Sequence, residues 1–143
     1  MYKHMLVPVD GSAPSNRALE EALKLAKAQG ARVRLVHVLE PLHNLVIEGY
    51  GDLVGAVRAE AERILAEAAA RAQAAGVEAS TALIEADGRR VAAAIVDEAL
   101  RSGADLIVMG THGHQGFEHL LLGSVAEGVM RRATVPVLLV RAR

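Results

Sequence analysis

Ala104-Asp105-Leu106-Ile107-Val108-Met109 runs directly into Gly110-Thr111-His112-Gly113. Apart from Asp105 the first six positions are apolar without alternation, the pattern of a central strand buried on both faces of a parallel sheet. A polar, glycine-spaced loop then extends from Gly110 to Gly123.

Outward from this strand, apolar runs of strand length alternate with amphipathic runs of helix length. Strands are expected at 3–9, 32–39, 77–84, 104–109 and 135–140. The first helix follows Asp10-Gly11-Ser12, with Ser12 as cap and Pro14 at an early helical position, and ends at Gly30. Its Leu19, Ala22, Leu23 and Ala26 share one face. The second follows Asp52 and carries Val54, Val57, Ala61, Ile64, Leu65, Ala68 and Ala72 up to Gly76. The third covers about residues 88–102 and stops at Gly103. The last begins at Ser124, where Ser124 and Glu127 have capping-box spacing, and ends near Arg131-Arg132.

Hairpins cannot close so short an alternation, so the strands are expected to be parallel, with right-handed helical crossovers. Five strands are too few for a closed barrel. The expected fold is therefore α/β, an open doubly wound five-stranded parallel sheet of order 3-2-1-4-5 with helices on both faces. The winding reverses between strands one and four, so a ligand crevice is expected between Asp10 and Gly110.

Composition bounds the rest. The 143 residues suit one domain, 1–143, with no composition shift to mark a boundary. No cysteine is present, which excludes thiol catalysis, Cys-ligated zinc and a disulfide framework. A net charge of -1 gives no global field toward nucleic acid or anionic lipid. The three aromatics, Tyr2, Tyr50 and Phe117, offer little stacking surface for bases. The apolar stretch before Asp10 is five residues long, too short for a signal segment, so a soluble cytoplasmic protein without nucleic-acid or membrane partners is expected.

Gly110-x2-Gly113-x9-Gly123-Ser124 suits phosphate chemistry: glycines let backbone amides approach phosphate oxygens, and a helix start adds the positive end of its dipole. The plainer alternative is that Gly110 and Gly113 make a turn and Ser124 caps a helix. The loop is not a Walker A sequence, since no Lys precedes Ser124. Likewise Asp10 reads either as a ligand group at the switch point or as a helix-entry turn residue.

The same glycine spacing is similar to the nucleotide-binding motif of the universal stress protein family, in its ATP-binding branch. Leu6-Val7-Pro8-Val9-Asp10-Gly11-Ser12 and the His37-Val38 pair resemble that family too, so the resemblance covers essentially the whole chain. It implies a regulatory or stress-response module that binds ATP, and the lack of Lys and Arg in the loop leads to the expectation of little or no hydrolysis. It further implies that Asp10 and the backbone of Pro8 and Val9 meet the nucleoside end, and that the backbone of Val38 meets adenine. Met109, Gly110, His112 and Gly113 would border the ribose and first phosphate, with Gln115 in the same loop. Gly123, Ser124 and Val125 would hold the outer phosphates, with Mg²⁺ or Mn²⁺ bridging them. Asp87-Gly88-Arg89 departs from the family's Gly-x-Pro turn before the third helix.

Competing readings use the same loop. Thr111-His112-Gly113-His114 matches the T/H-x-G-H tetrad of nucleotidyltransferases, but that tetrad follows the first strand of its fold and this one the fourth. A slow ATPase or nucleotidyl-transferring enzyme is the alternative function, although the loop holds no Lys or Arg and its single carboxylate is Glu118. His112, His114 and His119 read as polar loop residues rather than metal ligands, and no catalytic residue is assigned. His4 and His37 read as satisfied sheet histidines. Residues 40–51 form the longest irregular piece and are expected to act as a nucleotide-ordered lid. The apolar edge Val137-Leu138-Leu139-Val140 is expected to pair with a second copy in a homodimer.

Overall fold

The structure, a computed structural model, describes residues 1–40, 50–112 and 122–142. The chain order is β1 (His4–Pro8), α1 (Ala13–Gln29), β2 (Arg32–Leu39), α2 (Tyr50–Ala74), β3 (Ala79–Glu85), α3 (Val91–Ser102), β4 (Leu106–Gly110), α4 (Ser124–Arg132) and β5 (Val137–Val140). All five strands are parallel, in the order β3-β2-β1-β4-β5. The alternation of apolar runs thus yields the expected doubly wound sheet.

Side-chain alternation along each strand divides the core in two. Met5, Val7, Val33, Leu35, Leu106 and Val108 pack on one face with the buried stripe Ala18, Leu19, Ala22, Leu23 and Ala26 of α1 and Leu65, Ala68 and Ala72 of α2. Leu6, Val36, Ile107 and Met109 pack on the other face with Ala92, Ile95, Val96 and Ala99 of α3 and Ala126 and Val129 of α4. Strands β1 and β4 are buried on both faces, as an unbroken apolar run requires.

Several boundaries differ from the sequence expectation. Helix α2 begins at Tyr50, two residues before Asp52. Strand β3 starts at Ala79 rather than residue 77, because Val77 is held by Ala72 at the helix end before the chain reaches the sheet. Helix α3 starts at Val91, three residues later than expected, since Asp87 (φ 52°) and Gly88 (φ 82°) form a left-handed turn that a helix cannot include. Arg89 clamps that turn, donating from Nε to the Ala86 carbonyl at 2.8 Å and from a terminal nitrogen to the Glu85 carbonyl at 2.8 Å.

The capping box at Ser124 does not form. Gly123 is the N-cap of α4, Ser124 is its first helical residue, and Glu127 pairs with Arg131 at 2.6 Å. At α1 the expected cap is present, with the Ser12 hydroxyl accepting from the Ser15 amide at 3.3 Å. Helices α3 and α4 touch closely at Gly128, where a Cβ would fall 2.6 Å from that of Ala92.

Polar groups pin the lower end of the sheet. The Glu98 carboxylate, 6% exposed, accepts from Arg34 Nε at 2.7 Å and from Arg101 at 2.9 and 2.6 Å, tying β2 to α3. Burial pushes this carboxyl up, but the hydrogen bonds from Arg101 and Arg34 outweigh it and hold the group below its usual range. Asp105 is also lowered: burial opposes the shift, and the amides of Lys3 and His4, at 2.9 and 3.1 Å, drive it. His4 is lowered from 6.5 by burial first and then by Arg32.

All three shifts have one sign in the linkage. A depressed folded value means the unfolded chain binds more protons, so stability is present above the unfolded pKa and lost as pH falls through the folded one. The urea midpoint is therefore expected to fall from about pH 7 to about pH 3, first through the window of His4 and then through that of the carboxylates. Glu98→Gln should flatten the lower part of that curve; the same slope in wild type and variant would remove Glu98 from the account.

Candidate functional site

At the switch point β1 and β4 are neighbours, paired in their first halves through Met5 with Leu106 and Leu6 with Ile107, and both chains then run on toward Asp10 and Gly110. Beyond β1, the Asp10 carboxylate accepts from the Ser12 amide at 2.9 Å, and the Asp10 amide donates to the Ser15 hydroxyl at 3.0 Å. This Asx turn feeds the chain into α1. Of the two readings of Asp10, the helix-entry turn is the one these bonds show. Val9 donates to the Val36 carbonyl at 2.8 Å, and its own carbonyl accepts from His37 Nδ1 at 2.7 Å. His37 is thus the satisfied sheet histidine its position suggested, and it leaves Val9 a single carbonyl lone pair for anything else.

On the β4 side the chain leaves through Gly110. A Cβ there would lie 2.8 Å from the Pro14 carbonyl oxygen and 2.9 Å from its carbonyl carbon. Glycine at this position is required by the start of α1 lying against the strand end. The Thr111 amide then donates to the Val140 carbonyl at 3.1 Å, and the buried Thr111 carbonyl accepts from Gly123 at 2.5 Å. That bond brings the two ends of the loop together and sets the first turn of α4 beside β4. The Cβ of any other residue at 123 would lie 3.0 Å from the Thr111 oxygen and 3.5 Å from His112 Nδ1. His112 Nδ1 is buried and has no hydrogen-bond partner among the described residues.

The structure therefore brings together Pro8, Val9 and Asp10 from the end of β1, Gly110 and His112 from the end of β4, and Gly123, Ser124 and Val125 from the start of α4. Met109 and Val9 put their side chains into opposite core clusters, so only their backbones can border the crevice. Val38 sits near the end of β2, one strand further out, opposite Ile84. Gly113 and Gln115, with His114, Phe117, Glu118 and His119, lie outside the described residues, as do residues 41–49 of the expected lid. Ser15, Thr111 and Pro14 shape the site although the sequence did not single them out for it. Ser12-x-x-Ser15 had the spacing to announce Ser15; nothing local announced that Pro14 would meet Gly110.

Chemically, the crevice offers amides at a helix N-terminus, the exposed Ser124 hydroxyl and one unsatisfied imidazole nitrogen. The amides and the hydroxyl are donors suited to an anion, and the imidazole nitrogen donates or accepts according to its tautomer.

The fold defines a doubly wound α/β domain whose strand order reverses between β1 and β4. The sequence model described as Universal stress protein family matches residues 1–141, and the chain belongs to that family. Universal stress protein MJ0531 of Methanocaldococcus jannaschii is 38% identical over 144 residues, covering 99% of this chain and 83% of that protein. A universal stress protein of Thermus aquaticus, encoded in a QAH/OAS sulfhydrylase 3' region, is 40% identical over 142 residues, covering 99% of this chain and all of its own. Among solved structures, hypothetical protein MJ0577 superposes with a TM-score of 0.85 at 27% identity, covering 99% of this chain and 96% of that one. A universal stress protein in complex with cAMP superposes with a TM-score of 0.76 at 30% identity, covering 99% of both chains. The Archaeoglobus fulgidus protein in complex with dAMP gives 0.70 at 28%, covering 97% of this chain and 98% of that one.

Proposed function

We propose that residues 1–143 form one universal stress protein domain that binds ATP in the crevice between β1 and β4 and acts as a regulatory stress-response module, as a cytoplasmic homodimer paired through β5. The carrying observation is the buried Nδ1 of His112, without a partner among the described residues, beside Gly123 where β4 meets the start of α4. A buried polar atom without a partner costs about 1–3 kcal/mol, and a bound nucleotide would supply the missing bond.

The adenine nucleotides in the two related complexes support the class of ligand. The extension to a triphosphate rests on the α4 amides. In this reading Asp10 and the backbone of Pro8 and Val9 hold the nucleoside end, with the Val38 backbone at adenine. Met109, Gly110, His112 and Gly113 border the ribose and first phosphate, with Gln115 nearby, and Gly123, Ser124 and Val125 take the outer phosphates. The described site residues add no Lys or Arg, so Mg²⁺ or Mn²⁺ would offset most of the triphosphate's charge when bound.

Native mass spectrometry of the purified protein should show a dimer mass with a copurified adenine nucleotide. Isothermal titration with ATP should give saturable heat that EDTA weakens about tenfold, since triphosphate charge is then offset by dipoles alone. ADP accumulating during incubation would favour the hydrolase reading. No retained nucleotide together with no heat would sink the proposal. Among the described residues no helix is long and apolar enough to cross a membrane.

A further inference from the structure

The parallel sheet has a second end, and it is lined by cations. A cavity of about 320 Å³ opens where the strands begin, lined by His4 of β1, Arg32 and Arg34 of β2, Ser80 of β3, Arg101 and Ser102 of α3, and Glu78. Because every strand runs the same way, this cavity lies at the opposite edge of the sheet from the crevice beside Asp10 and Gly110.

We propose that this groove is an anion site for inorganic phosphate or a small phosphomonoester, separate from the nucleotide crevice. Three guanidiniums line it, Arg32 and Arg34 from one face of β2 and Arg101 from α3, distant in sequence. Arg34 and Arg101 share the buried Glu98 carboxylate, and Arg34 also donates to the Ser80 hydroxyl at 3.1 Å. Those contacts use both Glu98 oxygens and fix both guanidiniums in place, with further N–H groups left over. Arg32 is exposed and forms no ion pair among the described residues, although it pairs across the ladder with His4. Among the described residues no ion pair or side-chain hydrogen bond is shown for its guanidinium.

The local field agrees with the geometry. The charged groups around His4 are Arg32 and Arg34 from β2 and Asp105 before β4, with Arg101 and Glu98 of α3 and Glu78 further along the rim. After burial, Arg32 is the largest influence on the imidazole and disfavours its protonation, and Asp105 opposes it. Planar guanidiniums and the Ser80 hydroxyl, which accepts from Arg34 and keeps its own proton to donate, match the tetrahedral oxygens of a phosphate better than a chloride.

The test is an amide and imidazole NMR titration of the full chain at constant ionic strength, with inorganic phosphate, glycerol phosphate and chloride in separate arms. Saturable shifts at Arg32, Ser80 and Ser102 with phosphate support free phosphate as ligand, and shifts with glycerol phosphate alone support an ester. In either case the bound dianion should raise the His4 pKa. Arg32→Gln should weaken binding about fivefold, as expected for one exposed charge-assisted contact, without changing thermal unfolding or ATP binding. Shifts confined to the start of α4, shifts equal to those with chloride, or unchanged affinity in Arg32→Gln would overturn the proposal.

Discussion

Replacing Gly123 with valine is expected to weaken ATP binding by more than about a hundredfold, since two or more charge-assisted amide contacts of about 1.5–3 kcal/mol each would be lost together. The cause is crowding at the hinge between loop and helix. A Cβ at 123 already lies 3.0 Å from the Thr111 oxygen, a tight contact, and 3.4 Å from the His112 Cα, at the edge of ordinary van der Waals distance. Valine adds two methyl groups there, so Thr111 and His112 must shift away and the α4 amides lose their aim. The sequence alone suggested that a side chain would fill phosphate space. In the structure the first obstacle is the chain's own backbone. Gly123→Ala, with a smaller intrusion, should lose less, giving a graded series by isothermal titration. Arg132→Ala, exposed at the far end of α4, should bind normally. Wild-type affinity in Gly123→Val with a folded spectrum would mean that the phosphates sit elsewhere.

Gly110→Ala is expected to lower unfolding stability by about 2–3 kcal/mol, the upper part of the range for overpacking. Its Cβ would meet three Pro14 atoms at 2.8–2.9 Å, and two of these are backbone atoms that no rotamer change can move. Neither partner can retreat cheaply. Strand β4 is laddered to β1 and β5, and α1 is anchored by its Ser12 cap and by Leu19, Ala22 and Leu23 in the core. A melting temperature lower by roughly 5–10 °C is the corresponding reading for a chain of this size. A midpoint within about 1 °C of wild type would show that the contact relaxes at little cost.

The two glycines show how the loop divides between what a sequence displays and what it conceals. Their spacing pointed to a phosphate-binding layout. Spacing could not show that Gly110 makes room for Pro14, nor that Gly123 closes onto Thr111, because both contacts join segments separated along the chain. The expected capping box failed for a related reason. Serine and glutamate three apart satisfy a local pattern, but the bond from the Gly123 amide to Thr111 sets where α4 begins, and it places Ser124 inside the helix.

The sequence by itself determined the alternation of strand and helix, the parallel sheet and the order 3-2-1-4-5. Period-two and period-3.6 apolar patterns encode which face of each element is buried, and right-handed crossovers leave few ways to connect them. It also located the reversal of winding between β1 and β4, which follows from connectivity. The tertiary structure alone decided the sharing of Glu98 by Arg34 and Arg101, the burial of His112 Nδ1, the clamp of Arg89 on its turn and the lining of one groove by Arg32, Arg34 and Arg101. These depend on distances between residues that are neighbours only after folding, and sterics and charge at that range leave no periodic trace in the chain.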